Sequence, residues 1–195
     1  MYFFLIIIIS YLIGSFSSAY FVGKYFKKID IRNHGSGNAG ATNALRIMGK
    51  KLGIITFLLD FLKGIISVSL GLYFLGYNGG LVAAIFTVIG HNWPIFLNFK
   101  GGKGIATTIA TMAVIEFPIT LISVIIGVLV AVISKYVSLG SLVFLTSLFL
   151  LSFVGVKEFY LYRTLTLLFL MILGYYRHKD NIKRLIKGTE NRLGR

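Results

Sequence analysis

Cysteine is absent from the 195 residues, which excludes disulfides, thiolate catalysis and cysteine-ligated metals. Acid is scarce: six Asp and Glu stand against 20 Lys and Arg, a formal net charge of +14. The chain contains no Gly-x-Ser-x-Gly, no His-Glu-x-x-His, no paired carboxylates and no His-x-x-x-x-Asp. His34, His91 and His178 lie far apart without ligand spacing, so neither a metal nor another cofactor is expected. Chemistry on such a chain has to rest on positioning and charge stabilisation, not on a strong protein nucleophile. The first 20 residues also lack a basic leader and a small-residue cleavage site, so Met1 to Phe21 is expected as a retained apolar span.

What fills the chain is apolar. Hydrophobic residues make up 56% and aromatics 15%, with a mean hydropathy of +0.85, more than a soluble domain of this size can hide. The expected fold is all-α, a polytopic integral membrane bundle forming a single domain over residues 1–195. Further apolar runs follow at Leu52 to Leu75, Leu81 to Leu97, Ile105 to Ile115, Ile119 to Ser134, Val137 to Val154 and Tyr160 to Tyr176, for seven spans. Tyr77-Asn78-Gly79-Gly80 reads as an outer turn, Pro118 as a helix break and Lys157-Glu158 as another outer turn. Seventeen Lys and Arg fall in the loops and tail assigned inside, which places the N-terminus outside and the C-terminus in the cytoplasm. The runs at 105–115 and 119–134 are shorter than the ~20 residues of a perpendicular span, so five spans with two re-entrant segments also fit. The basic residues flank apolar spans and form no continuous face. Anionic membrane lipid, not nucleic acid, is therefore the expected partner.

Three polar segments interrupt the apolar chain. The first, Asn33 to Arg46, carries Gly35, Gly37 and Gly40, which permit positive φ and close approach. Ser36, Asn38, Thr42 and Asn43 add neutral donors, and Ala41 begins a helix whose N-terminus favours an anion. The second has Lys100 and Lys103 among Gly101, Gly102 and Gly104. A second anion site and positive-inside charge on a flexible turn both fit it. The third is the basic tail, where His178 and Asn181 share a helix face expected to point back at the glycine loops; a basic helix lying on anionic lipid also fits. Asp60 and Lys63, one helical turn apart in an apolar span, read as a structural ion pair in preference to a direct catalytic role. His91, beside Trp93, fits a general base or an interfacial hydrogen-bonding residue. No inverted repeat or midplane polar break suggests a transporter, and a lipid-binding scaffold leaves the amide-rich loop unexplained.

HGSGNAGATNALR, GHNWPIFLNFKGGKGIATT and HKDNIKRLIKGTENRL closely resemble the three cytoplasmic motifs of the bacterial acyl-phosphate:glycerol-3-phosphate acyltransferases of the PlsY type. LLDFLKG and KYVSLGS are similar to two further signatures of that family, in the same order; Lys135 and Gly140 depart from its commoner Arg and Ser. The resemblance implies a seven-helix enzyme of the bacterial inner membrane, its active site facing the cytoplasm. Its substrates are acyl phosphate and sn-glycerol 3-phosphate, and no obligatory protein partner is implied. The acyl group passes to the 1-hydroxyl, giving lysophosphatidic acid and phosphate. Acyl phosphate is a mixed anhydride with a good leaving group, which accounts for the missing nucleophile. The roles expected on this basis are the Gly35 to Asn43 loop and Ser36 on the donor head, Arg46 and Lys103 on phosphate, and His178 and Asn181 on glycerol 3-phosphate. Either His178 or the donor phosphate takes the hydroxyl proton, and Glu190 is structural.

Overall fold

The computed structural model describes residues 2–154 and 160–193, so the Lys157-Glu158 turn lies outside the described residues. Among the described residues every regular element is helical. That is what lipid demands, since backbone polar groups without water must be satisfied inside their own segment. Among the described residues three stretches are long and apolar enough to cross a membrane, Tyr2–Lys27, Lys50–Leu97 and Phe117–Ser134, with shorter apolar helices at Ile105–Ile115 and Val137–Leu151. The chain folds as two compact units, Met1–Ile115 and Glu116–Arg195.

In the first unit the N-terminal span is not one continuous helix. α1 (Tyr2–Ser15) stops, Ser17 is extended, and α2 (Ser18–Val22) resumes before a π-helical turn at Gly23–Lys27. The carbonyls released by the break are taken up from outside: Lys63 Nζ donates to Gly14 O at 3.0 Å and to Phe16 O at 2.7 Å. A buried ammonium thus supplies what the missing helical hydrogen bonds would have supplied.

A 3₁₀ turn (Ile31–Asn33) and α3 (Ala41–Met48) lead into α4 (Lys50–Asn92), which is two limbs joined at Leu75 and Gly76. Gly76, at φ +60° and ψ −156°, holds a conformation effectively closed to other residues. The limbs then run antiparallel. Ser67 accepts from Thr87 at 2.6 Å, and Lys63 meets His91 at 2.9 Å. This corrects the expected turn at Tyr77-Asn78-Gly79-Gly80, whose residues are helical. Gly79 and Gly80 serve packing instead, because a Cβ on Gly79 would strike the Gly71 carbonyl and one on Gly80 the Leu72 side chain.

The same small-residue logic docks the neighbours. Gly14 faces the Thr87 carbonyl, Gly90 the Tyr11 carbonyl, and Gly53 the Leu45 backbone. After a second 3₁₀ turn (Ile95–Leu97), α5 (Ile105–Ile115) packs on α4 with Gly64 against Ala110.

The second unit begins with α6 (Phe117–Ser134), whose Pro118 sits in the first turn, where its missing N–H costs nothing. α6 packs on α7 (Val137–Leu151) through Gly127 and Gly140, each of which would drive a Cβ into the other's carbonyl. α8 (Leu161–Arg177) lies on α7 with Gly174 against Leu145, and α9 (Lys179–Ile186) follows.

Candidate active site

The first polar loop is built around one side chain. Asn43, 2% exposed, directs its amide nitrogen at the carbonyls of His34 (3.0 Å), Asn38 (3.0 Å) and Ile31 (3.3 Å), while its Oδ1 accepts from Ser36 N at 3.0 Å. The loop from His34 to Asn38 is therefore wrapped round the first turn of α3. Expected as a donor to a ligand, Asn43 spends its amide hydrogens within the loop and acts by holding it. Gly35 and Gly37 take φ of +60° and +69°. Gly40 does not: it is the extended N-cap of α3, at φ −133°. Ser36 and Thr42 are exposed, as is Arg46 in the last turn of α3, and Asn38 and Ala41 are half-buried. The first N–H groups of α3, from Ala41 onward, have no acceptor within their own helix. Together they give the loop a face of main-chain and hydroxyl donors beside a helix N-terminus.

Next to this loop sits a fork the sequence reading left unassigned. Arg32 grips Asp30 through Nε (3.0 Å) and Nη2 (2.7 Å), and its Nη1 donates to Leu97 O at 2.9 Å. The hydrogen bonds and charge of Arg32 hold the Asp30 carboxyl below the usual carboxylate range, and Asp30 in turn holds the guanidinium above its own. Through Leu97 the fork ties the first loop to the second glycine turn. The signal for it was present, an Asp two residues before an Arg just ahead of the glycine loop.

In the second turn the left-handed residues are Asn98 (φ +53°), Phe99 (φ +58°) and Gly104 (φ +80°), not Gly101 or Gly102. Those two glycines are buried and meet another need. A Cβ on Gly101 would land on the His91 carbonyl, and one on Gly102 on His91 Nε2. Gly102 N also donates to His91 O at 3.0 Å. Lys103 is half-buried and precedes α5 by two residues.

His91 reaches the charged pair as well. Asp60 and Lys63 lie 2.9 Å apart, 1% and 5% exposed, with Ser18 Oγ donating to Asp60 Oδ1 at 2.8 Å. The expected ion pair is thus present; Ser18 and Lys63 meet Asp60 Oδ1, while its buried Oδ2 has no hydrogen-bond partner.

In the second unit His178 closes α8. Its Nδ1 stands 2.8 Å from Gly174 O. A carbonyl only accepts, so Nδ1 carries the hydrogen and Nε2 is the accepting nitrogen of the neutral ring. Asn181 donates to Glu190 Oε1 at 2.7 Å, and the same carboxylate receives Arg184 (2.7 Å) and Ser138 (3.1 Å). Glu190 thereby joins the start of α7, α9 and the tail, in line with the structural role expected of it. The structure thus brings Ser36, Asn43, Arg46 and the Lys103 turn into the first unit, and His178 and Asn181 into the second. Among the described residues, no three His, Cys, Asp or Glu side chains gather as a metal would require.

The geometry has counterparts. Residues 4–188 match the model of the family described as Glycerol-3-phosphate acyltransferase. The glycerol-3-phosphate acyltransferase of Thermoanaerobacter pseudethanolicus is 47% identical over 196 residues, covering 100% of this chain and 97% of the relative. Two crystal structures of PlsY (YgiH), an integral membrane glycerol 3-phosphate acyltransferase, superpose on the whole chain and 96% of their own. The glycerol 3-phosphate form has a TM-score of 0.93 at 35% identity, and the lysophosphatidic acid form 0.90 at 34%. With its apolar helices, its two glycine turns and a family match over nearly its full length, the chain belongs to the glycerol-3-phosphate acyltransferase family of integral membrane enzymes.

Proposed function

We propose that the acyl donor is acyl phosphate and that the product is 1-acyl-glycerol 3-phosphate. The 1-hydroxyl oxygen of sn-glycerol 3-phosphate attacks the acyl carbonyl carbon, the carbon–oxygen bond to phosphate breaks, and inorganic phosphate leaves with the electron pair. The hydroxyl proton passes to the departing phosphate or to Nε2 of His178. The observation that carries this reading is the pairing, within one unit, of two glycine turns that each run into a helix N-terminus and that Arg32 ties together at the Leu97 carbonyl. Two anion-binding turns suit two phosphate-bearing substrates.

In this reading the Gly35 to Asn43 loop receives the donor's phosphate, with Ser36 Oγ placed to stabilise charge developing on the carbonyl or the leaving group. Arg46 and Lys103 neutralise phosphate charge, Gly101, Gly102 and Gly104 shape the turn, and His178 and Asn181 orient glycerol 3-phosphate. The two units act as one acyltransferase domain with seven spans, N-terminus outside, in the bacterial inner membrane. The polar segments face the cytoplasm, where glycerol 3-phosphate is soluble and the acyl tail lies among membrane lipids. The absence of cysteine and of a histidine–aspartate pair supports a donor that is already activated.

A detergent-solubilised assay tests the donor. Labelled glycerol 3-phosphate is offered acyl phosphate, acyl-CoA or acyl carrier protein thioester, and incorporation is expected from acyl phosphate alone. Incorporation from acyl-CoA without acyl phosphate overturns the assignment.

A further inference from the structure

We infer that His91 is a positioning residue, oriented by the buried Asp60–Lys63 pair so that its Nε2–H supports the Gly101-Gly102 turn that carries Lys103. The inference rests on the reading of Lys103 as a phosphate ligand and extends it to the layer beneath. Lys63 Nζ lies 2.9 Å from His91 Nδ1. The ammonium can only donate, so two nitrogens at this separation cannot both carry a hydrogen towards each other. On this inference Nδ1 takes one of the three Lys63 hydrogens, which the carbonyls of Gly14 and Phe16 and the Asp60 carboxylate also draw on, and the hydrogen of the neutral ring is on Nε2. This is the opposite tautomer to that of His178, where Nδ1 faces a carbonyl.

The charges facing the ring are those of Lys63 and Asp60, the latter 3.4 Å from Nδ1. Lys63 is itself held by the carbonyls of Gly14 and Phe16, and Asp60 by Ser18. Ring orientation is thus set by groups from α1, α2 and the first limb of α4. At its far edge Nε2 lies where a Gly102 Cβ would be, and the His91 carbonyl receives Gly102 N at 3.0 Å. Backbone and ring of one residue therefore seat Gly102, next to Lys103. The chemistry asks for such a seat, because displacing a charge-stabilising group by about an ångström costs about 100-fold in rate.

The test compares His91→Asn with His91→Gln. Both lose the imidazole; the Asn amide ends near the Nδ1 position, whereas the Gln amide carries an N–H out to the Nε2 position. Expected in the acyl phosphate assay is a loss of about 100-fold for His91→Asn and about 10-fold or less for His91→Gln. The loss falls on kcat, with KM for either substrate little changed, because Lys103 still attracts phosphate while its alignment in the transition state is lost. Equal losses in the two variants, or full activity in His91→Asn, overturn the inference. Lys103→Ala serves as the control. If it stays active, the phosphate reading of the turn fails; if it is inactive while His91→Asn is not, only the positioning inference fails. Should either His91 variant fail to fold, nitrogen NMR of the histidine-labelled wild-type protein decides. His91 is expected with bare Nδ1 and protonated Nε2, and His178 with the reverse; a protonated Nδ1 on His91 refutes the inference.

Discussion

The two glycine turns of the first unit look alike in the sequence and use glycine for different reasons. In the first loop Gly35 and Gly37 supply left-handed backbone, which lets the chain wrap round the Asn43 amide and leaves Ser36 exposed. In the second turn the left-handed φ falls chiefly on Asn98 and Phe99, while Gly101 and Gly102 are needed because the His91 backbone and ring occupy the space a side chain would take. One turn is shaped from within by a neutral amide. The other is pressed onto a buried histidine that answers to an ion pair. Glycine content identifies a close approach of backbone to something; the partner decides whether that is a ligand or the protein's own interior.

The largest effect is expected at the group proposed to touch the reacting atoms. Ser36→Ala should lower kcat by about 100- to 1,000-fold, the range for loss of one transition-state donor, with unfolding temperature in detergent unchanged. Normal turnover would remove Ser36 from the site. The loop's internal support comes next. Asn43→Leu leaves Ser36 N–H and several carbonyls without their partner, and should destabilise the protein by about 2–3 kcal/mol and take most of the activity with it.

A smaller, sharper effect separates the two uses of glycine. Gly102→Ala should cost about 1–3 kcal/mol by overpacking against the His91 ring. Combined with His91→Ala it should cost about 1 kcal/mol less than the sum of the single changes. Gly35→Ala meets the Asn43 and Ile47 side chains as well, but it also carries a left-handed backbone penalty of about 1–2 kcal/mol that, unlike the clash, no neighbouring truncation removes. Additive behaviour for Gly102 and His91 would erase the distinction between the turns. The smallest effect concerns the fork between them. The Asp30 carboxyl is held low by Arg32, so its contribution to stability is complete above the unfolded-state pKa of about 3.9 and is lost as pH falls through the lower folded value. Asp30→Asn should therefore be less stable than wild type at neutral pH, with the difference closing in acid. A difference that widens in acid would contradict the fork's assigned role.

Much of the fold was legible because lipid allows few solutions. Apolar run length, Pro118 and the polar breaks placed the helices at Ala41–Met48, Ile105–Ile115 and Phe117–Ser134 to within two residues or fewer. The first helix break escaped because Phe16 and Ser17 carry no breaker signal. The break is supported by Lys63, far along the chain, which donates to the freed carbonyls. The turn at Leu75 and Gly76 was displaced onto Tyr77-Asn78-Gly79-Gly80 because Asn-Gly-Gly is the stronger local turn pattern. Packing against Gly71 and Leu72 overrode it. At the site, residue types and spacing pointed to the loops, while the division of labour within them did not. The way the Asn43 amide gathers the loop carbonyls, and the seating of Gly101 and Gly102 against His91, are properties of folded contact, which spacing along the chain does not encode.

In the proposed mechanism positioned main-chain amides and cations transfer the acyl group directly, without attaching it to the enzyme. The direct test is the intact mass of the purified protein after incubation with acyl phosphate in the absence of glycerol 3-phosphate. An unmodified mass, followed by product formation when glycerol 3-phosphate is added, is the expected result. A protein heavier by one acyl group, discharged on adding the acceptor, would contradict it.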